Sequence, residues 1–149
     1  AVRRSALQRV GGFDERLGAG AAGCSEDSEL WYRLIAAGMD CVYEPAAMVH
    51  HRHRATPEAL RGQLRAYARG HVTALFVQWA RHGHTGNLYR VFRILPRYLL
   101  RRLIVALLNG RAGDAGLIWQ QIAGSIAGVA YYLRHRHAAG APSMAVESR

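Results

Sequence analysis

The chain contains no lysine, so each of its 20 basic residues is an arginine, a compositional bias before it is a nucleic-acid signature. Cysteine is scarce as well. Cys24 and Cys41 stand 17 residues apart with no second thiol near either, which excludes a disulfide framework and a C-x-x-C metal knuckle and leaves a reduced, cytoplasmic setting as the plain reading. The N-terminus, AVRRSALQRV, has neither a starting Met nor an apolar core segment, so no secretory signal is read there, and the chain is expected to begin inside a longer one. Acids are nearly missing from the second part: up to Glu58 eight acids face seven arginines, whereas residues 59–149 carry two acids and thirteen arginines. The net charge of +10 thus divides into −1 for the first part and +11 for the second. What remains is 149 residues, half of them apolar, which fits one globular domain or a piece of a larger one.

Local patterns predict mostly helices. Val2, Ala6, Leu7 and Val10 recur at helical spacing before Gly11-Gly12 stops them, and Gly18, Gly20 and Gly23 make Phe13 to Gly23 a flexible loop. Ser25 is the expected N-cap of a helix with Glu26, Asp27 and Glu29 in its first turn; Leu30, Leu34 and Ala37 mark its buried face, Trp31 and Ile35 widen it, and Gly38 ends it. Asp40 to Glu44 and Ala47 to Val49 read as two short strands, followed by the imidazoles His50, His51 and His53. Thr56 caps a long helix with Pro57 at its first position, running to about Arg81 and weakened by Gly62 and Gly70. After a loop at 82–87, Leu88 to Asn109 form a basic amphipathic helix broken or bent at Pro96. Ala115 to Leu133 are 19 residues without a charge, but Gln120, Gln121, Ser125 and three glycines favour a packed or interfacial helix over a membrane span. Three regions follow: 1–55, a helical 56–134, and a tail, 135–149, expected to be disordered.

A glycine-rich loop, a carboxylate pair at a helix N-terminus and a strand-end imidazole cluster together make a sensible active-site kit, although each alone has a purely structural reading. In order along the chain they are GGFDERLGAG, SEDSELWYRL and YEPAAMVHHRHR. This ordered set resembles the C-terminal half of the catalytic domain in family 2 glycosyltransferases of the GT-A fold, strongly over Val2 to Arg54 and more loosely beyond. The resemblance implies an α/β, Rossmann-like parent fold of which this chain would be a mainly α part with two or so short strands.

It also implies inverting transfer from a nucleotide-sugar donor to an acceptor hydroxyl on a cell-surface glycan or lipid-linked acceptor. Asp27 matches the general base, and Glu26, Asp14 and Gly20 match acceptor-side positions. His51, with His50 and His53 as runners-up, matches a ligand of Mg²⁺ or Mn²⁺, and Arg52 and Arg54 are candidates for the donor phosphates. No D-x-D motif occurs and the donor-binding half is missing, so the chain is expected to be partial and inactive alone.

In the basic second part, Arg90, Arg93, Arg97, Arg101 and Arg102 alternate with Leu95, Leu99, Leu100, Leu103, Ile104 and Leu107, without the aromatic interleaving of a base-stacking surface. An anionic membrane surface is therefore the preferred partner over nucleic acid, with peripheral location on the inner face of the plasma membrane; packing on the catalytic domain or a homo-oligomer through these helices is the competing reading. The alternative to an enzyme is a noncatalytic membrane-peripheral or scaffold module derived from such a domain.

Overall fold

A computed structural model of the chain describes residues 1–50 and 56–138. Its helices are α1 (Arg4–Val10), α2 (Glu26–Ala36), α3 (Pro57–His82), α4 (Gly86–Tyr89), a π-helical turn (Arg90–Ile94), α5 (Leu95–Leu108) and α6 (Ala112–His135). Among the described residues there is no strand, so the expected short strands are corrected: residues 40–50 are exposed and irregular. A strand needs a ladder partner for its backbone groups, and no strand among the described residues supplies one.

Locally encoded ends form as read. Thr56 Oγ1 accepts from Ala59 N at 3.2 Å with Pro57 at the first helical position. Beyond α2, Gly38 has φ +75°, its N–H donates to Ile35 O and Met39 N donates to Leu34 O, the paired bonds of a Schellman stop. Ser25 departs from expectation. It is left-handed (φ 75°) and its side chain makes no capping bond; the hydroxyl lies 3.1 Å from Cys24 Sγ instead. The α2 face also turns: Leu30 and Leu34 are buried, but Glu29 and Arg33 join them, while Trp31 and Ile35 stay exposed.

α3 is the central element, buried from Val72 through Gln78 because α6, the α4 segment and the Leu17–Ala22 loop cover it on different sides. Phe76 stacks on Tyr132 of α6 at 4.9 Å and meets Phe92 edge-on at 6.0 Å. Leu99, Ala106 and Ile118 form a second cluster joining α5 to α6. The bend expected at Pro96 is taken up one turn earlier: Leu95 N donates to Arg90 O, five residues back. Widening the turn makes room for a proline ring that would otherwise strike the carbonyl four residues before it.

The α3–α6 contact depends on glycine. A Cβ at Gly124 would lie 2.3 Å from Arg65 O, and one at Gly128 would lie 2.6 Å from Arg69 O. Gly116, in the same helix, has nothing within 4 Å of its would-be Cβ. Gly116→Ala is therefore expected to stabilise by up to about 1 kcal/mol through helix propensity. Gly124→Ala should destabilise by about 1–3 kcal/mol because two backbones must part. Urea midpoints for the pair check the contrast, and equal shifts would remove the close-approach argument. Among the described residues no helix is long and apolar enough to cross a membrane.

Candidate functional site

The site is assembled by the loop between α1 and α2, by α2 itself, and by the C-terminal end of α3. Two fully buried carboxylates anchor it: Asp14 and Glu29 are both 0 % exposed. Arg16 binds Asp14 through two side-chain bonds of 2.9 and 2.7 Å. Arg33, 4 % exposed, donates from Nε to both Glu29 oxygens at 3.0 and 2.8 Å and spends its remaining nitrogens on the carbonyls of Val10, Gly11 and Gly12. Arg81 reaches from the end of α3 to join the two carboxylates, 2.6 Å from Glu29 Oε1 and 3.0 Å from Asp14 Oδ2.

Five charges thus fix the entry to the loop, the inner face of α2 and the end of α3 in one register. The carbonyls released at the end of α1 find donors in Arg33, which is why the chain can turn there on Gly11. Burial would raise the Asp14 carboxyl, but the hydrogen bonds and charge of Arg16 and the charge of Arg81 outweigh it and hold Asp14 below the usual carboxylate range. Burial pushes the Glu29 carboxyl up, against the pull of Arg81 and Arg33.

The glycine loop is held at its far end by α3. Arg69 donates to Ala22 O at 2.7 Å and to Ala21 O at 3.0 Å, and Gly18 N and Cys24 O close the loop's base at 3.2 Å. Gly70 brings α3 against this base: a Cβ there would stand 2.6 Å from Cys24 O. What reads in sequence as a weak point of the helix is a point of contact.

Loop and α2 meet at the carboxylate pair. Glu26 lies against Gly18, whose would-be Cβ is 3.2 Å from Glu26 Oε2, and that oxygen is buried without a hydrogen-bond partner. Asp27 is exposed; its Oδ1 accepts from Ser28 N at 2.6 Å and from Ser28 Oγ at 3.3 Å, and its Oδ2 accepts no bond among the described residues. The residue that aims this pair, Ser25, is the one non-glycine residue at positive φ among those described, a sparsely populated conformation of the kind that clusters at functional sites. Gly20, at φ +88°, is exposed at the loop tip with nothing near its would-be Cβ.

Of the residues singled out from sequence, Glu26 meets the glycine loop at Gly18 and Asp27 follows it on α2, whereas Gly20 stays exposed at the loop tip. Asp14 is fully buried with both oxygens taken by arginines. His50 is exposed on the segment after α2, and His51, Arg52, His53 and Arg54 lie outside the described residues, as does the tail from residue 139. No group of three His, Cys, Asp or Glu side chains that could hold a metal ion occurs among the described residues.

Two groupings escaped sequence reasoning. Glu29–Arg33 carries a local signal, opposite charges four residues apart beside the apolar face, which the dipole complementarity expected of Glu29 does not capture. The second grouping is Tyr32 with His82, His84 and Asn87: the Tyr32 hydroxyl bonds His84 Nδ1, Asn87 Nδ2 donates to it at 3.3 Å, and the two imidazoles stack at 5.6 Å. Burial lowers the His82 pKa, and the positive neighbours His84, Arg81 and Arg33 lower it further. Nothing in the spacing joins Tyr32 to residues fifty or more positions away.

Comparison with known proteins gives a family and two relatives. The family model described as glycosyl transferase family group 2 matches residues 1–137. Two proteins named pre-mycofactocin glycosyltransferase, from Mycobacterium tuberculosis strains CDC 1551 / Oshkosh and ATCC 25618 / H37Rv, are each 50% identical to this chain over 52 residues. The matched stretch is 35% of this chain and 10% of each relative, so the chain spans only a small part of their length. No solved structure matches.

Proposed function

Since the chain belongs to glycosyl transferase family group 2, we propose that it carries the acceptor-side portion of an inverting transferase that moves a sugar from a nucleotide-sugar donor to an acceptor hydroxyl. The observation that carries this reading is Asp27. Its carboxylate is exposed at the N-terminus of α2, Ser28 holds one oxygen, and the other is free to face a substrate at the edge of a glycine loop.

In this reading the free oxygen takes the proton of the acceptor hydroxyl as that oxygen attacks the anomeric carbon. The bond from that carbon to the donor's diphosphate breaks on the opposite face, and the nucleoside diphosphate leaves with the electron pair. A single displacement inverts the anomeric centre. Glu26, with a buried and unpartnered Oε2, is suited to receive a donor proton from an acceptor hydroxyl or from the Gly18–Gly23 backbone when the loop adjusts. The Asp14–Glu29 network acts on position alone, keeping loop and helix in register.

The donor half, with the GT-A architecture, belongs to the proposal and lies outside this chain. Mg²⁺ or Mn²⁺ would offset charge on the departing diphosphate, with His51 as a ligand and Arg52 and Arg54 near the phosphates. The test is to incubate the whole protein containing this chain with nucleotide sugars and candidate acceptors and to read the anomeric configuration of the product by NMR. Inversion supports the reading; retention overturns the single displacement, and failure of any sugar to transfer favours a noncatalytic module.

A further inference from the structure

One feature not used by this chemistry lies on the other side of α3. A groove of about 290 Å³ opens between the π turn, α5 and α6, with Val72 and Leu99 toward its floor and Phe92, Leu100 and Ile126 at its mouth. Its lining is apolar except for Ser125, whose hydroxyl is already bonded to Gln121 O at 2.8 Å. The residues at the mouth are wide open to water: Phe92 is 60 %, Leu100 57 % and Ile126 66 % exposed. Contiguous apolar surface of this kind marks a place where something else binds.

The chain's charge says what that is. Phe92, Pro96 and Leu100 follow one another along the groove, and each is followed at once by an arginine: Arg93, Arg97 and Arg101. All three are exposed, none has an ion-pair partner among the described residues, and no acid occurs in the sequence between Glu58 and Asp114. An apolar slot edged by an unopposed row of arginines complements an apolar chain carrying an anionic head. A protein segment would need acids beside its apolar anchors, and a second copy of this chain would bring the same arginines face to face and repel.

We propose that this face docks on an anionic membrane, with an acyl chain of a phospholipid entering the groove and its phosphate meeting the Arg93–Arg97–Arg101 row. The proposal is independent of the transfer reaction, because none of these residues belongs to the site on the other side of α3.

Flotation with phosphatidylcholine vesicles, with and without phosphatidylglycerol, tests the electrostatic half. The whole chain should float only with phosphatidylglycerol, and the Arg93→Gln/Arg97→Gln/Arg101→Gln variant should partition on the order of a hundredfold more weakly. The groove is tested by phosphatidylglycerol carrying a diazirine at the end of its acyl chain: light-induced adducts should map to Phe92, Leu100 or Ile126. Ile126→Gln, at an exposed position that does not endanger the fold, should reduce them severalfold. Flotation indifferent to phosphatidylglycerol, adducts confined to other residues, or self-association that shuts out the lipid probe each overturns the proposal.

Discussion

Asp27→Asn is expected to lower kcat of the complete enzyme by about 10²- to 10⁴-fold while leaving the donor KM nearly unchanged, the range in which loss of a positioned general base falls. Asparagine keeps the size of the side chain and can still accept from Ser28 N, which now holds Asp27 Oδ1 at 2.6 Å. What it cannot do is take a proton. The fold should scarcely respond, since Asp27 is exposed and the one structural service that asparagine does not keep is a negative charge at the start of α2, worth about 0.3–1 kcal/mol. Kinetics and thermal unfolding measured on the same preparation separate the two roles. Activity within a few-fold of the parent would reduce Asp27 to a helix-end charge and take the mechanism with it. Glu26→Gln is the companion measurement: a milder loss, expressed mainly in the acceptor KM, is expected of a residue that positions.

The second large effect is on the fold. Glu29→Ala should destabilise the protein by about 3–5 kcal/mol, the usual result of removing one partner from a buried ionic group. Arg33 would keep its place at 4 % exposure, tied to three carbonyls, without the carboxylate that neutralises it. Arg81 would lose the shorter of its two bonds. Since single domains are stable by about 5–15 kcal/mol, such a loss is a large share of the total. Urea unfolding followed by circular dichroism measures it. Replacing the buried pair together, as Glu29→Leu with Arg33→Met, should not restore the stability, because the carbonyls of Val10, Gly11 and Gly12 then lose the donors that Arg33 supplies. Failure of the single substitution to shift the midpoint would show that the network is dispensable.

The sequence announces what is decided within a turn of helix. Thr56-Pro57 and Gly38 carry their instructions in their own backbone preferences, and both ends form as read. Ser25 is an instructive exception: its residue type suits a cap, but the glycine loop delivers the chain to α2 through a left-handed residue, and the side chain is turned to Cys24. Alternation at 40–44 and the extended piece at 47–49 suggest strands, yet pairing is a property of two segments, and one of them cannot be read for its partner.

The site was legible in part for the same reason. Glu26, Asp27 and the glycine loop are neighbours along the chain and remain so in space. Arg81 meets Asp14 from 67 positions away, and no periodicity carries that information. Gly70, Gly124 and Gly128 look like interruptions when each helix is considered alone; their purpose becomes visible only against the backbone they touch.

The widened turn at Arg90–Ile94 sets the phase of everything after it. It behaves as a helix that has absorbed one surplus residue, and each residue advances a helix by about 100°. Deleting one position there would let a regular helix run straight through, still amphipathic and still basic, but rotated by roughly that angle. Leu99 and Ala106 would together leave the cluster they form with Ile118, and the arginine row would change sides. The surface chemistry of α5 is thus governed less by its own fourteen residues than by a miscounted turn just ahead of them.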